Sequence, residues 1–241
     1  MKLKIPFFDI LDAFENASYE NHYFIDTKNH KIIFISEYET DSEKRYEELN
    51  PEEVIGFEER TPDQDYRIMQ SFVYKIKDEN VSEEFINALN RSKPFRNFRD
   101  LLNKYSMLSE KWFEHRNKEI TNEAMNWLCD NDIELEDKSF MPKIEIKELE
   151  KEKVNFPEGF KNFGGIECMN CKNRKKIKTR YFQLSHDIEN RLIDKQIKKI
   201  MKDKYGIEKY GHISGGEKEI LTSAKCPKCG SEDVFMDFAR K

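Results

Sequence analysis

The sequence predicts an α+β fold in two parts, and three observations carry this prediction. Residues 1–137 contain a strand-like hairpin pattern followed by a series of helical hydrophobic stripes. The charge changes sign between the parts: residues 1–137 hold 18 Lys and Arg against 31 Asp and Glu, a net charge of −13, whereas residues 138–241 hold 24 against 16, a net charge of +8. Paired cysteines occur only in the second part. We therefore predict an acidic domain, 1–137, and a basic domain, 138–241.

The chain begins with a predicted helix and a small predicted sheet. Apolar residues recur at helical spacing within Met1–Ala17. His22–Asp26 and Lys31–Ser36 are short runs with strand character on either side of a polar turn, which predicts a hairpin. Val54–Glu58 is a candidate third strand. The acidic, polar stretch Glu37–Glu53 is predicted to be a loop.

Four more helices are predicted before residue 137, which gives the first domain about five. The first of them starts at the capping box Thr61–Gln64, with a proline at its first helical position. The next starts near Ser82, and a third follows Pro94. The longest runs from about Ser109 to about Cys129.

Arginine 116 interrupts the apolar stripe of the longest predicted helix, between Trp112 and Ile120. One interpretation is a partly buried arginine paired with a carboxylate of the same chain. The other is an anion or partner site formed by Arg96, Arg99 and Arg116. Under either interpretation a partner is expected, because a buried guanidinium without one is strongly unfavourable.

The first part of the chain also has a recognisable set of sequence motifs. The motifs are Asp12–Glu15, Tyr23–Asp26, Tyr66–Met69, Phe95–Asp100, Trp112–Phe113 and Trp127–Leu128. Through them, residues 5–135 resemble the bacterial group called Uncharacterised Protein Family 0158, and the aromatic-rich stretch from Phe95 to Leu128 is the more specific part. The resemblance implies a small α+β domain with a short sheet and several helices. It brings no established activity and no catalytic residues, and it does not reach the cysteines.

Two Cys-x-x-Cys pairs are the strongest chemical signal in the chain. Their thiols belong to Cys168, Cys171, Cys226 and Cys229. Two such pairs on tight turns can supply four sulfurs to a tetrahedral ion, which predicts one structural Zn²⁺ in a zinc-ribbon-like module. Near the first pair, Asn170 and Asn173 are candidates for left-handed turn conformations. A spacer of 54 residues separates the pairs, so it must have structure of its own, although closing so long a loop adds little free energy.

Other roles for the cysteines are less consistent with the sequence. Two redox pairs, or exposed thiols, are the alternatives, but neither pair clearly opens a helix. Haem attachment requires a histidine after the second cysteine, where Lys172 and Gly230 stand. His186 or His212 could replace a cysteine ligand, although surface or core histidines are more common. A four-sulfur shell leaves no open position for zinc catalysis. Cys129 is predicted to be a buried, small apolar residue.

The insert between the cysteine pairs, residues 172–225, is rich in cations. An amphipathic helix is predicted over His186–Lys204, and Tyr181 and Phe182 lie just before it. Positive charge beside aromatic rings is typical of contact with phosphate backbones, and the rings could stack on unpaired bases. A solvated helix face, or one that docks on the acidic domain, is the alternative. Gly211–Gly216 is predicted to be a flexible tip. The candidate nucleic-acid-binding residues are Lys172, Arg174, Lys175, Lys176, Lys178, Arg180, Arg191, Lys195, Lys198, Lys199 and Lys202.

These features favour a non-enzymatic, zinc-stabilised binding protein, regulatory in role, that contacts nucleic acid through its basic insert. One alternative is a protein–protein adaptor or inhibitor that uses the acidic domain. Another is an enzyme with a site around the three arginines, but no nucleophile–base pair is visible. Acidic residues interrupt the apolar stretch of Met1–Ala17, and no apolar run reaches membrane-spanning length, so a cytoplasmic location is expected. A reducing compartment also favours metal binding over disulfides.

Overall fold

The computed structural model describes residues 1–150, 154, 160–186, 188–213 and 219–240. It has an α+β architecture with small sheets, as the sequence predicts. The chain divides into two units, Met1–Phe140 and Met141–Lys241. Within the described ranges, no helix is both long enough and apolar enough to cross a membrane.

The first unit contains six helices and five short strands. The strands are β1 (Lys2–Leu3), β2 (Asn21–Asp26), β3 (Lys31–Ser36), β4 (Val54–Gly56) and β5 (Glu134–Leu135). The helices are α1 (Phe7–Asn16), α2 (Ser42–Glu47), α3 (Pro62–Val73), α4 (Glu79–Leu89), α5 (Pro94–Lys104) and α6 (Ser106–Asp130). Strands β3, β2 and β4 form one antiparallel sheet in that order, which confirms the predicted hairpin and third strand.

The structure differs from the sequence prediction at three places in this unit. The predicted loop 37–53 is wrong in part, because it contains α2. Helix α4 starts before Ser82, because the carboxylate of Asp78 accepts hydrogen bonds from the backbone N–H groups of Asn80 and Val81 and so caps the helix earlier. Strands β1 and β5 form a parallel pair that the sequence does not predict.

An aromatic core joins α3, α4, α5 and α6. Phe98 lies at its centre, with ring centroids 5.2 Å from Phe85 and 4.8 Å from Trp112, both edge-on. Phe72 lies 5.4 Å from Trp112 in a similar orientation. Burial of each such ring contributes roughly 1.5–3 kcal/mol, and edge-to-face geometry adds to this. The four helices are therefore held by one continuous cluster.

The second unit contains one described helix and six described strands. The helix is α7 (Arg191–Tyr205). The strands are β6 (Ile146–Leu149), β7 (Phe160–Cys168), β8 (Lys178–Leu184), β9 (Gly211–Ile213), β10 (Glu219–Lys225) and β11 (Val234–Arg240). Strands β6, β8, β10 and β9 form an antiparallel sheet in that order, and β7 pairs with β11 in a separate antiparallel ribbon. The predicted flexible tip at Gly211–Gly216 is wrong for Gly211–Ile213, which form β9 and pair with β10, and the rest of the predicted tip lies outside the described residues.

Helix α7 packs its apolar face on the four-stranded sheet. It starts at Asn190, whose side-chain oxygen accepts a hydrogen bond from the N–H of Ile193 at 3.0 Å. It ends at Gly206, which has φ +66°. The predicted helix is therefore present but begins later than His186. The buried core consists of Ile144, Ile146, Phe182, Leu184, Ile193, Ile197, Met201, Ile207 and Leu221.

Candidate metal centre and basic groove

The two cysteine pairs occupy equivalent connections between strands. The first knuckle, Cys168–Asn173, starts at the end of β7 and leads toward β8. The second knuckle, Cys226–Ser231, follows β10 and leads toward β11. Because β7 pairs with β11 and β8 pairs with β10, the two turns are brought to the same place. The strand pairing thus explains how thiols separated by a long insert come together.

The two knuckles have the same backbone hydrogen bonds. The N–H of Cys168 donates to the carbonyl of Asn173 at 2.9 Å, and the N–H of Cys226 donates to that of Ser231 at 2.8 Å. In each turn, the backbone N–H of the residue after the second cysteine donates a hydrogen bond to the carbonyl oxygen of the first cysteine at 2.9 Å. That residue is Lys172 (φ 57°) in one knuckle and Gly230 (φ +74°) in the other. The prediction that Asn170 or Asn173 takes a left-handed turn conformation is therefore wrong, because Lys172 takes that conformation.

The four sulfur atoms form one cluster. All lie within 4.8 Å of one another, with Cys168 and Cys229 3.5 Å apart and Cys171 and Cys226 3.6 Å apart. A metal–sulfur distance of about 2.3 Å in a tetrahedron separates the sulfurs by about 3.8 Å, which is close to these values. No disulfide joins these cysteines. The four cysteines could hold a metal ion.

Histidine does not enter this cluster in the described part of the chain. His212 instead forms a hydrogen bond with the buried carboxylate of Glu219, and His186 is exposed. Asn173 supports the cluster, because its side-chain N–H group lies 3.5 Å from the sulfur of Cys226. The fifth cysteine, Cys129, is buried at the end of α6, as predicted.

The surroundings of the cysteines shift the pKa values of their thiols in different directions. Burial raises the pKa of Cys226, but the backbone N–H groups of Cys229 and Lys228 outweigh it and lower that pKa to about 6. The backbone N–H of Cys171 also lowers the pKa of Cys168. The N–H of Ser231 favours the thiolate of Cys229, yet contacts with the neighbouring thiols and burial raise its pKa to about 12. Complete ionisation of the cluster therefore needs a cation to offset the repulsion between thiolates.

Many of the predicted nucleic-acid-binding cations form ion pairs within the second unit. The guanidinium of Arg180 makes a bidentate pair with Glu148, at 2.7 and 2.9 Å. Arg174 pairs with Glu167, at 2.8 and 2.5 Å. On α7, Lys198, Lys199 and Lys202 lie 2.6, 3.4 and 2.8 Å from the carboxylates of Asp194, Asp203 and Glu208 respectively. The predicted basic stripe is thus partly neutralised by its own neighbours.

The expectation that Tyr181 and Phe182 stack on bases is wrong. Their exposed fractions are 1% and 0%. Adjacent residues in a strand point to opposite faces, so burial of both means that both faces of the sheet are covered at β8. The two rings contribute to the interior and not to a nucleic-acid interface.

A cleft beside the second knuckle, here called the basic groove, gathers four cations. Its cavity has a volume of about 500 Å³. Sequence analysis missed Lys225, which pairs in register with Lys178 across β10 and β8. Glu232 also lines the groove, but one of its carboxylate oxygens accepts hydrogen bonds from the backbone N–H groups of Glu208 and Lys209. The lining residues are Lys176, Lys178, Arg180, Tyr205, Gly206, Ile207, Ser223, Ala224, Lys225, Pro227 and Glu232.

The three candidate arginines of the first unit have separate roles. Arg116 donates to the carboxylate of Glu15 on α1 at 2.5 Å, which confirms the interpretation of an arginine paired within the chain. Arg96 lies 3.8 Å from Asp100 on the same helix. Arg99 is exposed and makes no ion pair with any described residue. No described contact joins the three guanidinium groups.

Sequence analysis also missed a serine–histidine contact. The Nε2 atom of buried His115 lies 2.8 Å from the hydroxyl of Ser71, and its Nδ1 atom lies 3.2 Å from the amine of Lys75. The ammonium of Lys75 can only donate, so Nε2 carries the proton and donates to Ser71, whose own hydroxyl donates to the carbonyl of Ile68 at 2.9 Å. Burial, and then the charge of Lys75, lower the pKa of His115. A general base needs a free nitrogen facing the nucleophile, and this network does not provide one.

Comparisons with known proteins agree with the resemblance in the first part of the chain. Residues 2–152 match an uncharacterised protein family, UPF0158. A UPF0158 protein of Pseudomonas aeruginosa is 30% identical over 115 residues, which cover 47% of this chain and 74% of that protein. No solved structure matches the chain significantly. The family match ends before the first knuckle and does not extend to the cysteine cluster. The chain therefore belongs to the uncharacterised family UPF0158, with a cysteine-bearing unit that continues beyond the matched residues.

Proposed function

We propose that the chain is a non-enzymatic regulatory protein whose second unit is stabilised by one Zn²⁺ and binds nucleic acid. Zinc is the metal proposed because all four donors are thiols in a compact cluster, which suits zinc in a closed, structural site. A cytoplasmic location is part of the proposal, because a reducing compartment keeps such thiols available for metal. With four sulfur ligands, the ion would have no position for a reacting water.

The basic groove is the single observation that carries the nucleic-acid proposal. Three of its four cations, Lys176, Lys178 and Lys225, form no ion pair with any described residue. Pro227 of the second knuckle also lines the groove, so a metal bound at the cysteines would fix one of its walls. Closely spaced lysines that remain solvated are suited to replacing the counterions of a phosphate backbone.

The distribution of ion pairs favours the groove over α7 as the contact surface. Lysines that already pair with carboxylates must lose those contacts before they can bind phosphates, which reduces the net gain. Arg180 is held by Glu148, yet its guanidinium still faces the groove and lies 5.1 Å from the ring of Phe182. We therefore propose that Arg180 positions the wall while the three lysines make the phosphate contacts.

A salt-dependence experiment tests the proposal. The zinc-loaded full chain is titrated into fluorescein-labelled 20-nucleotide single-stranded RNA and DNA at 50 and 200 mM salt, and anisotropy is recorded. Three phosphate contacts on a single strand would lower the affinity by about 20-fold between these salt concentrations. The triple variant Lys176→Glu, Lys178→Glu, Lys225→Glu should bind weakly with a smaller salt dependence.

The matched control reverses three lysines of α7 that do not line the groove, Lys195→Glu, Lys198→Glu and Lys199→Glu. It changes the net charge equally, so it should retain most of the affinity if the groove makes the contact. Equal losses in both triple variants would indicate non-specific attraction and contradict the assignment to the groove. Absence of binding at 50 mM salt would contradict the nucleic-acid proposal altogether.

The alternative is a protein-binding role for the acidic first unit. It is favoured by two exposed tyrosines, Tyr19 and Tyr38, whose hydroxyls both donate to the carboxylate of Glu20, at 2.7 and 2.5 Å. Such a rigid, acidic and aromatic surface suits a basic protein partner. Retention of a partner by the wild-type chain, with loss in a Tyr19→Ser, Tyr38→Ser variant, would support this alternative.

A further inference from the structure

We propose that a cleft in the first unit, here called the lysine cleft, binds a small amphipathic anion with an apolar body and a terminal carboxylate. The cleft lies where the end of α3 and the start of α4 meet the junction of α5 with α6. Its volume is about 560 Å³, within the range of small-molecule sites. The lining residues are Phe72, Lys75, Ile76, Lys77, Asp78, Val81, Lys104, Tyr105, Ser106, Met107, Leu108, Lys111 and His115.

The wall of the cleft supplies an apolar surface. Phe72 belongs to the buried aromatic core, and Ile76, Val81 and Leu108 pack against that core while also lining the cleft. Met107 lies at the α5–α6 junction with 84% of its surface exposed. An exposed, flexible methionine at the edge of an apolar cavity can adapt to the shape of a bound hydrocarbon. Burial of an alkyl or aryl group here would remove apolar surface of both molecules from water.

Four lysines, Lys75, Lys77, Lys104 and Lys111, line the cleft. Lys104 pairs with Glu84 at 2.6 Å, and Lys75 lies 3.5 Å from Glu119. Lys77 and Lys111 form no ion pair with any residue of the first unit, all of which is described. The cleft is therefore able to provide charge for an anion without first breaking an internal ion pair.

The single carboxylate of the cleft does not oppose this charge at full strength. Asp78 accepts the backbone N–H groups of Asn80 and Val81 at 3.0 and 3.1 Å and so caps α4. The four lysines converge in a part of the chain, residues 1–137, whose net charge is −13. A local cationic site on an acidic unit selects for anions against neutral ligands of the same shape.

Binding by the wild-type protein is measured with three ligands of equal chain length. Decanoate, decan-1-ol and decylamine are titrated at concentrations below micelle formation, and the imidazole signals of His115 are followed by NMR. His115 lines the cleft and is buried, so its signals report on the site itself. We expect decanoate to bind with a Kd below about 1 mM, and the alcohol and the amine to bind at least about tenfold more weakly.

Charge-reversal variants then test the cleft residues. Lys77→Glu with Lys111→Glu should weaken decanoate binding by at least about tenfold, because it replaces both unpaired cations by anions. Arg96→Glu with Arg99→Glu is the matched control, since both are exposed cations on α5 that do not line the cleft. The proposal is overturned if decanoate leaves the signals of His115 unchanged, if decan-1-ol binds as tightly as decanoate, or if the control double variant weakens binding as much as the cleft double variant does. None of these outcomes depends on zinc or on nucleic acid.

Discussion

Substitution of Cys226 by serine is the most direct test of the candidate metal centre. The sulfur of Cys226 is almost fully buried and lies 3.6 Å from that of Cys171. Burial raises its pKa, but the backbone N–H groups of Cys229 and Lys228 outweigh burial and lower that pKa to about 6, which favours the thiolate near neutral pH. A serine hydroxyl stays protonated there and is a poor zinc ligand. We therefore expect the variant to lose the ion while the strand pairs on both sides of the knuckle keep their hydrogen bonds.

The expected loss of stability follows from the size of the second unit. A ligand that binds only the folded state stabilises it by about 4 kcal/mol when its free concentration is about a thousand times its Kd. The unit spans Met141–Lys241, and for domains of about 100 residues each kcal/mol shifts Tm by roughly 4–8 °C. Loss of the metal should therefore lower the Tm of this unit by roughly 15–30 °C.

Calorimetry and metal analysis together decide the outcome. The wild-type chain should contain one zinc ion, and the Cys226→Ser chain none, with the transition of the second unit shifted down. Cys129→Ser is the matched control, because it removes a buried thiol from the first unit and should leave the zinc content unchanged. A Cys226→Ser protein with one zinc and an unshifted transition would refute the assignment, and so would loss of zinc from Cys129→Ser.

Two further predictions concern the interior of each unit. Ile197→Ala in α7 removes a side chain with no exposed surface from the core of the second unit. The free energy of unfolding measured in urea should therefore fall by about 2–5 kcal/mol. A fall below about 1 kcal/mol, which is typical of substitutions at the protein surface, would mean that α7 does not pack as described. Burial and the charge of Lys75 lower the pKa of His115 below 6.5. As pH falls, the imidazole of His115 is therefore protonated in the unfolded chain at a higher pH than in the folded chain. The contribution of neutral His115 to stability is complete above pH 6.5 and is lost as pH falls through the pKa of His115 in the folded protein. Below pH 6.5, the Tm of the wild type should therefore drop more steeply with falling pH than the Tm of His115→Gln. Parallel plots of Tm against pH for the two proteins would contradict a neutral His115.

Local signals account for the parts of the fold that the sequence predicts correctly. The hairpin of β2 and β3 follows from two short β-rich runs around a polar turn, and α3 follows from its capping box. The β1–β5 pair is different, because it has two residues in each strand and joins positions more than 130 residues apart, such as Lys2 and Glu134. Such a contact depends on the packing of everything between the strands and leaves no local pattern.

The candidate site shows the same division between local and distant information. The spacing of the cysteines predicts a sulfur cluster, because each pair is fixed by its own tight turn. Whether a basic residue forms an ion pair or joins the groove depends on its neighbours across the sheet. The pairing of β8 with β6 brings Arg180 to Glu148, and the pairing of β10 with β8 brings Lys225 beside Lys178. A count of charges along the chain therefore overestimates the cations on α7 and misses one of those in the groove.

The pairing of β7 with β11 has a consequence for the order of events during synthesis. Cys168 lies opposite Val234 in this ribbon, so the insert must emerge from the ribosome before the ribbon can close. Until then, Cys168 and Cys171 each have only one of their three sulfur partners and are accessible to oxidants and to competing metals. Contacts so distant in sequence form slowly compared with the helical contacts of the first unit. We therefore expect the first unit to fold before the cysteine site is complete, because the second knuckle is synthesised last.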